Sequence, residues 1–216
     1  AAGRDVSHLL LDADADELRE TRNAQLATFV TSMVVLDAVE RLGIDAAGHA
    51  GHSLGEYSAL TASGALGFSD AVSLVVERGE AMQVAVQNPE GTMAAVLGLD
   101  DTGVEEACAV VDGSVWVANY NAPGQVVIAG APDAVAAAGE EAKARGAKRA
   151  TSLEVSGAFH TPFMAPARDR LGEAIDATDI RSPEGVVVAN VDATAHENPA
   201  TWRAMMNAQL CSPVRW

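Results

Sequence analysis

A chain of 216 residues is long enough for one substantial core, or one core with a smaller inserted domain, and its 49% hydrophobic and 20% charged residues are ordinary for a soluble globular protein. No apolar run approaches the roughly 20 residues that cross a bilayer, and no basic, then apolar, then small-residue leader opens the chain, so neither membrane insertion nor secretion is expected. A formal charge of −16 argues against nucleic acid as a partner; two cysteines, Cys108 and Cys211, are too few for a disulfide framework, fit a reducing cytoplasm, and stand in no metal-ligand spacing with a histidine.

The chain opens in a loop-like stretch reaching His8 and the run Asp12 to Asp16. Between Arg22 and Leu42, Leu26, Phe29, Val30, Met33, Val34, Leu36 and Val39 recur at helical spacing, and Gly43 is a natural stop. Small residues from Ala46 to Ala50 read as the tip of a buried strand. The next stretch, Gly51-His52-Ser53-Leu54-Gly55, has the G-x-S-x-G pattern of a nucleophile elbow, in which a serine sits on a sharp strand-to-helix turn and each glycine avoids a Cβ collision. A Gly-rich connector with an ordinary serine is the competing reading, and only the rest of the chain decides. An apolar helix follows from Tyr57 to about Gly64, and Ser69 caps a second long helix through Val86 that carries Met82 and Arg78.

Between residues 89 and 155 the pattern changes. Thr92 to Leu99 reads as a strand, Thr102 to Val111 as a helix, and Val115 to Asn119 with Gln125 to Ala129 as a hairpin around Asn121-Ala122-Pro123-Gly124. A helix from Asp133 to Arg145, closed by Gly146, and a strand from Arg149 to Val155 complete a β-α-β-β-α-β order, that of a ferredoxin-like module. The predicted fold class is therefore α/β: an α/β-hydrolase-like core with a parallel sheet, residues 1–88 and 156–216, and an inserted ferredoxin-like subdomain, residues 89–155. Lys143, Arg145, Lys148 and Arg149 form a basic run, either a solvated helix end or a landing site for an anionic partner. Beyond Val155, Ser156 to His160 is a loop leading into a helix with Phe163, Met164, Leu171 and Ile175. Val186 to Asn190 reads as a strand covered on both faces, Pro199 to Leu210 as a last helix, and Cys211-Ser212-Pro213 as its break, with no closing element before Trp216.

A serine hydroxyl needs a base within hydrogen-bond reach. Of the five histidines, His8 and His196 fall in polar segments, His49 on the strand before the elbow, and His52 beside Ser53, where neighbouring side chains diverge. His160, in a loop that can aim into a cleft, is the candidate base.

The hexapeptide Gly51-His52-Ser53-Leu54-Gly55-Glu56, with Gly157-Ala158-Phe159-His160 and Met164, Arg78, Asn119 to Gln125, and Gln209-Leu210 with Pro213 to Trp216, resembles the malonyl-CoA:acyl carrier protein transacylases and the acyltransferase domains of polyketide synthases. The resemblance covers nearly the whole chain in the correct order. It implies Ser53 as nucleophile, His160 as base, the backbone carbonyl of Gln209 orienting His160, the Leu54 N–H as an oxyanion donor, and Arg78 as the clamp on the malonyl carboxylate. It also implies that Phe159 crowds an α-methyl branch, that His52 and Met82 belong to the substrate site, and that the basic run 143–149 docks an acidic carrier protein. The implied substrates are malonyl-CoA and the phosphopantetheine thiol of acyl carrier protein, with no cofactor beyond the coenzyme A thioester, no metal, and a cytoplasmic setting. The family's Gly-Gln oxyanion motif does not precede His8, and members extend past the position of Trp216, so the resemblance implies a chain trimmed at both ends. The rival readings are a serine acylhydrolase or thioesterase, which Arg78 disfavours, and a non-catalytic domain that docks carrier proteins.

Overall fold

The computed structural model describes residues 3–87, 90–155 and 157–216. Asn88 and Pro89, at the expected boundary of the insertion, and Ser156, at the start of the loop to His160, lie outside the described residues. The protein is α/β, and its chain gathers into two compact units, residues 1–83 with 169–207, and residues 84–168 with 208–216.

The first unit begins with helices rather than the expected loop: α1 (Val6–Leu11) and α2 (Ala15–Arg19). Aspartates start both, Asp5 accepting from the His8 N–H and Asp14 from the N–H groups of Asp16 and Glu17, so donors that a helix start leaves unpaired are satisfied. Helix α3 (Thr21–Arg41) follows the predicted span, and Gly43, at φ +73°, takes the left-handed turn that ends it. The strand before the elbow is only β1 (Gly48–His49), half-exposed rather than buried, and it pairs in parallel with β6 (Val186–Val187). β6 is likewise shorter than the apolar run Val186 to Asn190 suggests. Val186 is 50% exposed, and the chain leaves the ladder after Val187 to make an isolated bridge from Val188 to Ala195. Helices α4 (Gly55–Ala62) and α5 (Phe68–Ala85) follow the elbow; α5 starts one residue before Ser69, which is therefore helical rather than a cap. The later helices are α8 (Ala165–Ala177) and α9 (Pro199–Gln209). Phe29, Tyr57, Leu60, Leu74, Ile175 and Trp202 are fully buried and form the core of this unit. Arg4 ties the start of the chain to Glu80 and Asn23.

The second unit is built on a sheet ordered β5-β2-β4-β3-β7. Strands β2 (Thr92–Leu97), β3 (Val115–Ala122), β4 (Gln125–Gly130) and β5 (Arg149–Ser152) pair antiparallel with their neighbours. Helices α6 (Asp101–Ala109) and α7 (Pro132–Ala144) are connected in the order read from the sequence, β2-α6-β3-β4-α7-β5. One sheet face, with Val96, Val117, Val126 and Ile128, packs on Val104, Ala107, Val135 and Ala138 of the two helices. The opposite face, with Met93, Ala118, Val127 and Ala129, is covered by Ala158, Leu153, Phe159 and Phe163. Both faces are thus covered, which is why β4 is buried at five successive positions after Gln125. The segment after Pro213, read as having no closing element, is β7 (Val214–Arg215), which adds in parallel to the β3 edge.

Candidate active site

The elbow is formed as its sequence requires, with one correction. Ser53 has φ +53°, a left-handed conformation that costs a non-glycine residue about 1–3 kcal/mol and so needs support from its surroundings. A Cβ at Gly51 would lie 1.9 Å from the Gly55 carbonyl oxygen, so Gly51 must be glycine. At Gly55 a Cβ would meet nothing within 4 Å, so the collision argument holds for the first glycine and fails for the second. The turn continues through Gly55 N–H to His52 C=O (2.9 Å) and Glu56 N–H to Ser53 C=O (3.1 Å). The Leu54 N–H, at the head of α4, has no hydrogen-bond partner among the described residues. An amide so placed is suited to an oxyanion, because the helix N-terminus favours negative charge there.

Arg78, from the middle of α5, is 1% exposed. Its Nη2 donates to Ser53 Oγ at 3.0 Å and its Nη1 to Gln25 Oε1 at 2.5 Å, while the guanidinium lies 5.6 Å from the Tyr57 ring centroid. Burial lowers the Arg78 pKa, opposed by Tyr57 and by the Glu56 carboxylate. Burial pushes the Tyr57 phenol up to about 12, although the Arg78 charge acts in the opposite sense. Tyr57 Oη has no hydrogen-bond partner of good geometry among the described residues. Met82, one helical turn beyond Arg78, is buried and accepts from Gln25 Nε2 at 3.3 Å. The first unit therefore brings together Ser53, Leu54, Arg78 and Met82, with His52 exposed at the elbow. Gln25 was not legible as a site residue: it lies on a long amphipathic helix, and its only signal is an amide on that helix's buried face.

The second unit holds His160, 4% exposed, at φ +60°. Its Nδ1 lies 3.0 Å from the backbone carbonyl oxygen of Gln209. A carbonyl only accepts, so Nδ1 carries the proton and a neutral ring presents Nε2 as the basic nitrogen. Thr161 braces this loop: its Oγ1 donates to the Ala158 carbonyl at 2.7 Å and accepts from the Phe163 N–H at 3.2 Å, starting a 3-10 turn over Pro162–Met164. Small residues before His160 are required by packing, since a Cβ on Gly157 would come within 2.3 Å of Val86 Cγ1. His160 lines a cavity of about 550 Å³ together with Trp116, Tyr120, Pro162, Cys211 and Pro213. Phe159 is half-buried against the sheet face that carries Met93 and Val127.

The basic run is partly neutralised. Lys143 pairs with Glu140 at 2.7 Å, and Arg145 pairs with both Glu106 (2.6 Å) and Glu141 (2.8 Å). Arg149 is held by Thr151 through a bond of 2.8 Å, and neither it nor Lys148 has a carboxylate partner among the described residues. Among the described residues no group of three or more His, Cys, Asp or Glu side chains could hold a metal ion, and no helix is long and apolar enough to cross a membrane.

Comparison with known proteins follows the same lines. The family model for the acyl transferase domain matches residues 1–216. The malonyl CoA-acyl carrier protein transacylase of Bacillus subtilis is 47% identical over 214 residues, 98% of this chain and 68% of that protein. Its counterpart in Escherichia coli K12 is 42% identical over 219 residues, covering 100% of this chain and 71% of that protein. An acyl carrier protein S-malonyltransferase from Vibrio cholerae superposes with a TM-score of 0.94 at 40% identity, over 99% of this chain and 71% of that one. A malonyl-transacylase solved in complex with a type II PKS acyl-carrier protein gives a TM-score of 0.94 at 39% identity, over 99% and 70%. A left-handed turn at Ser53 with a buried arginine from α5 bonded to its hydroxyl, a histidine bonded to a main-chain carbonyl, and similarity along the whole chain agree: the chain belongs to the acyl transferase domain family, among the malonyl CoA-acyl carrier protein transacylases.

Proposed function

We propose that this chain transfers the malonyl group from malonyl-CoA to the phosphopantetheine thiol of an acyl carrier protein, by a ping-pong mechanism through a malonyl-Ser53 ester. The observation that carries the reading is the buried Arg78 guanidinium within hydrogen-bond distance of Ser53 Oγ. A cation held there serves an acyl group that ends in a carboxylate, through two parallel charge-assisted hydrogen bonds. In the first half-reaction Ser53 Oγ attacks the thioester carbonyl, its proton passes to His160 Nε2, and the C–S bond breaks as that proton goes to the coenzyme A thiolate. The Leu54 N–H stabilises the tetrahedral oxyanion. In the second, the carrier thiol gives its proton to His160 as its sulfur attacks the ester carbonyl, the C–O bond to Ser53 breaks, and His160 returns the proton to Ser53 Oγ. The thioester already activates the acyl carbon, and one thioester is exchanged for another through an oxygen ester, so the reaction as written uses no cofactor and no metal.

Further parts of the reading concern selectivity and docking. Phe159 disfavours an α-methyl branch on the acyl group, a discrimination of about 1–3 kcal/mol, and His52 and Met82 complete the substrate site. Lys148 and Arg149, the cations of the basic run with no carboxylate partner among the described residues, receive an acidic carrier protein; a relative solved with its carrier protein makes such a partner the natural one. Residues 89–155 are a ferredoxin-like subdomain inserted into an α/β-hydrolase-like core, a reading supported by the strand order β5-β2-β4-β3. The enzyme works in the cytoplasm, where coenzyme A thioesters and carrier proteins meet.

Intact-mass spectrometry after mixing the protein with malonyl-CoA tests the proposal. A malonyl adduct is expected in the native protein and absent in Ser53→Ala, and Arg78→Ala is expected to accept acetyl from acetyl-CoA in its place. Rapid release of free malonate without carrier protein would replace transfer by hydrolysis as the activity.

A further inference from the structure

The elbow has a support outside its own motif. Asn190 follows the apolar run that ends at Ala189, is 3% exposed, and binds the turn at three points. Its Oδ1 accepts from the Ser53 N–H at 2.7 Å, its Nδ2 donates to the Gly51 carbonyl at 2.8 Å, and its backbone N–H donates to Glu56 Oε1 at 2.7 Å. Glu56 is itself fully buried, on the first turn of α4. Residues before, at and after the nucleophile are thus fixed to a single position on the chain just beyond β6.

Two consequences follow for the chemistry. Ser53 stands in a backbone conformation that persists only when its neighbours over-determine it; the side-chain amide of Asn190 meets that need on the N-terminal side of Ser53, and the Asn190 backbone N–H, bound to Glu56, meets it on the other. The Ser53 N–H is occupied by Asn190, so of the two successive amides at the turn only that of Leu54 is left to face an oxyanion. The Leu54 N–H lies one peptide further on, and its direction follows from the Ser53 backbone angles, which the bonds of Asn190 to Gly51, Ser53 and Glu56 bracket.

We propose that Asn190, with Glu56 behind it, is a positioning clamp that holds Ser53 Oγ and the Leu54 N–H in reactive register, and thereby sets the rate of acyl transfer. The proposal rests on the reading of Ser53 as the nucleophile.

The test separates rate from folding. For the native chain, Asn190→Ala, Glu56→Ala and Glu56→Gln, intact-mass spectrometry counts the molecules that Ser53 acylation can reach, and stopped-flow malonylation gives the rate for each competent molecule. Asn190→Ala is expected to slow that rate by about 10- to 100-fold with KM for malonyl-CoA held within about threefold, the scale on which small misplacements act. Glu56→Ala is expected to follow it, whereas Glu56→Gln, which keeps an oxygen to accept from the Asn190 N–H, restores most of the native rate. A per-molecule rate within about twofold of native in Asn190→Ala, or in Glu56→Ala should Asn190→Ala fail to fold, would overturn the clamp and leave Asn190 a folding residue. The same variants are scored with a serine-directed fluorophosphonate. Native protein that takes the fluorophosphonate but not malonyl would overturn the proposed substrate, and the labelling rates would still decide the clamp.

Discussion

Gln25 holds one end of the Arg78 guanidinium, and replacing it with leucine isolates that contribution. Leucine approximates the buried volume and keeps contact with Met82, but removes the oxygen that accepts from Arg78 Nη1 at 2.5 Å. A hydrogen bond to a charged group contributes about 1.5–3 kcal/mol, and each 1.4 kcal/mol is about tenfold, so the full effect would be roughly 10- to 150-fold. If Gln25 acts by aiming the guanidinium at a carboxylate, the loss falls on kcat/KM for malonyl-CoA and spares acetyl-CoA, whose acyl group has no carboxylate to hold. The assay is therefore the malonyl-to-acetyl ratio of kcat/KM, measured beside the thermal midpoint. A ratio unchanged in Gln25→Leu, with both substrates falling in parallel, would refute the reasoning and leave Gln25 as core packing.

The remaining expectations concern separate parts of the molecule. Gly51→Ala places a Cβ 1.9 Å from a backbone oxygen that cannot move alone, so fluorophosphonate labelling of Ser53 should be abolished; labelling at the native rate would contradict the close approach. Tyr57→Phe removes a buried hydroxyl with no hydrogen-bond partner of good geometry among the described residues and should change stability by less than about 1 kcal/mol at pH 7. Burial holds the Tyr57 phenol at about 12 against the ordinary tyrosine value of 10.0, so between those values the unfolded chain loses a proton that the folded chain retains. Stability therefore falls as pH rises through that window, by up to ~3 kcal/mol for two pKa units, and urea unfolding at pH 8 and pH 11 should show a smaller fall in Tyr57→Phe. Burial also pushes the Cys108 thiol up to about 11, so Cys108 should resist iodoacetamide in the native state and react once urea unfolds the chain. Lys148→Glu with Arg149→Glu should raise KM for the carrier protein while leaving self-malonylation by malonyl-CoA unchanged; equal loss in both would remove the docking role.

What could be read from the residues was what local chemistry fixes. Ser53, Arg78, His160 and Gln209 stand in recognisable motifs, and the long helices and the hairpin at Asn121 to Gly124 followed from apolar spacing and turn residues. The early helices α1 and α2 were missed although Asp5 and Asp14 are good starting residues, because neither segment has enough apolar periodicity to separate a short helix from a loop. Strand β7 is two residues long and owes its existence to the free edge of β3, which no local pattern reports. Asn190 and Glu56 went unassigned for a related reason. Asn190 reads as the end of a strand and Glu56 as the last residue of the hexapeptide, and the bonds that give them a role join positions 134 to 139 residues apart. The basic run was visible as composition, whereas its carboxylate partners depend on how α6 and α7 lie together.

The positive φ at Ser53 also restricts which nucleophiles this scaffold accepts. Threonine carries the same hydroxyl, but its second Cβ substituent makes left-handed backbone a genuine outlier, so Ser53→Thr would unsettle the turn before its chemistry could be compared. Cysteine has an unbranched Cβ and meets no such obstacle. On this turn, therefore, the choice between oxygen and sulfur is open to chemistry, while the choice between serine and threonine is made by the backbone.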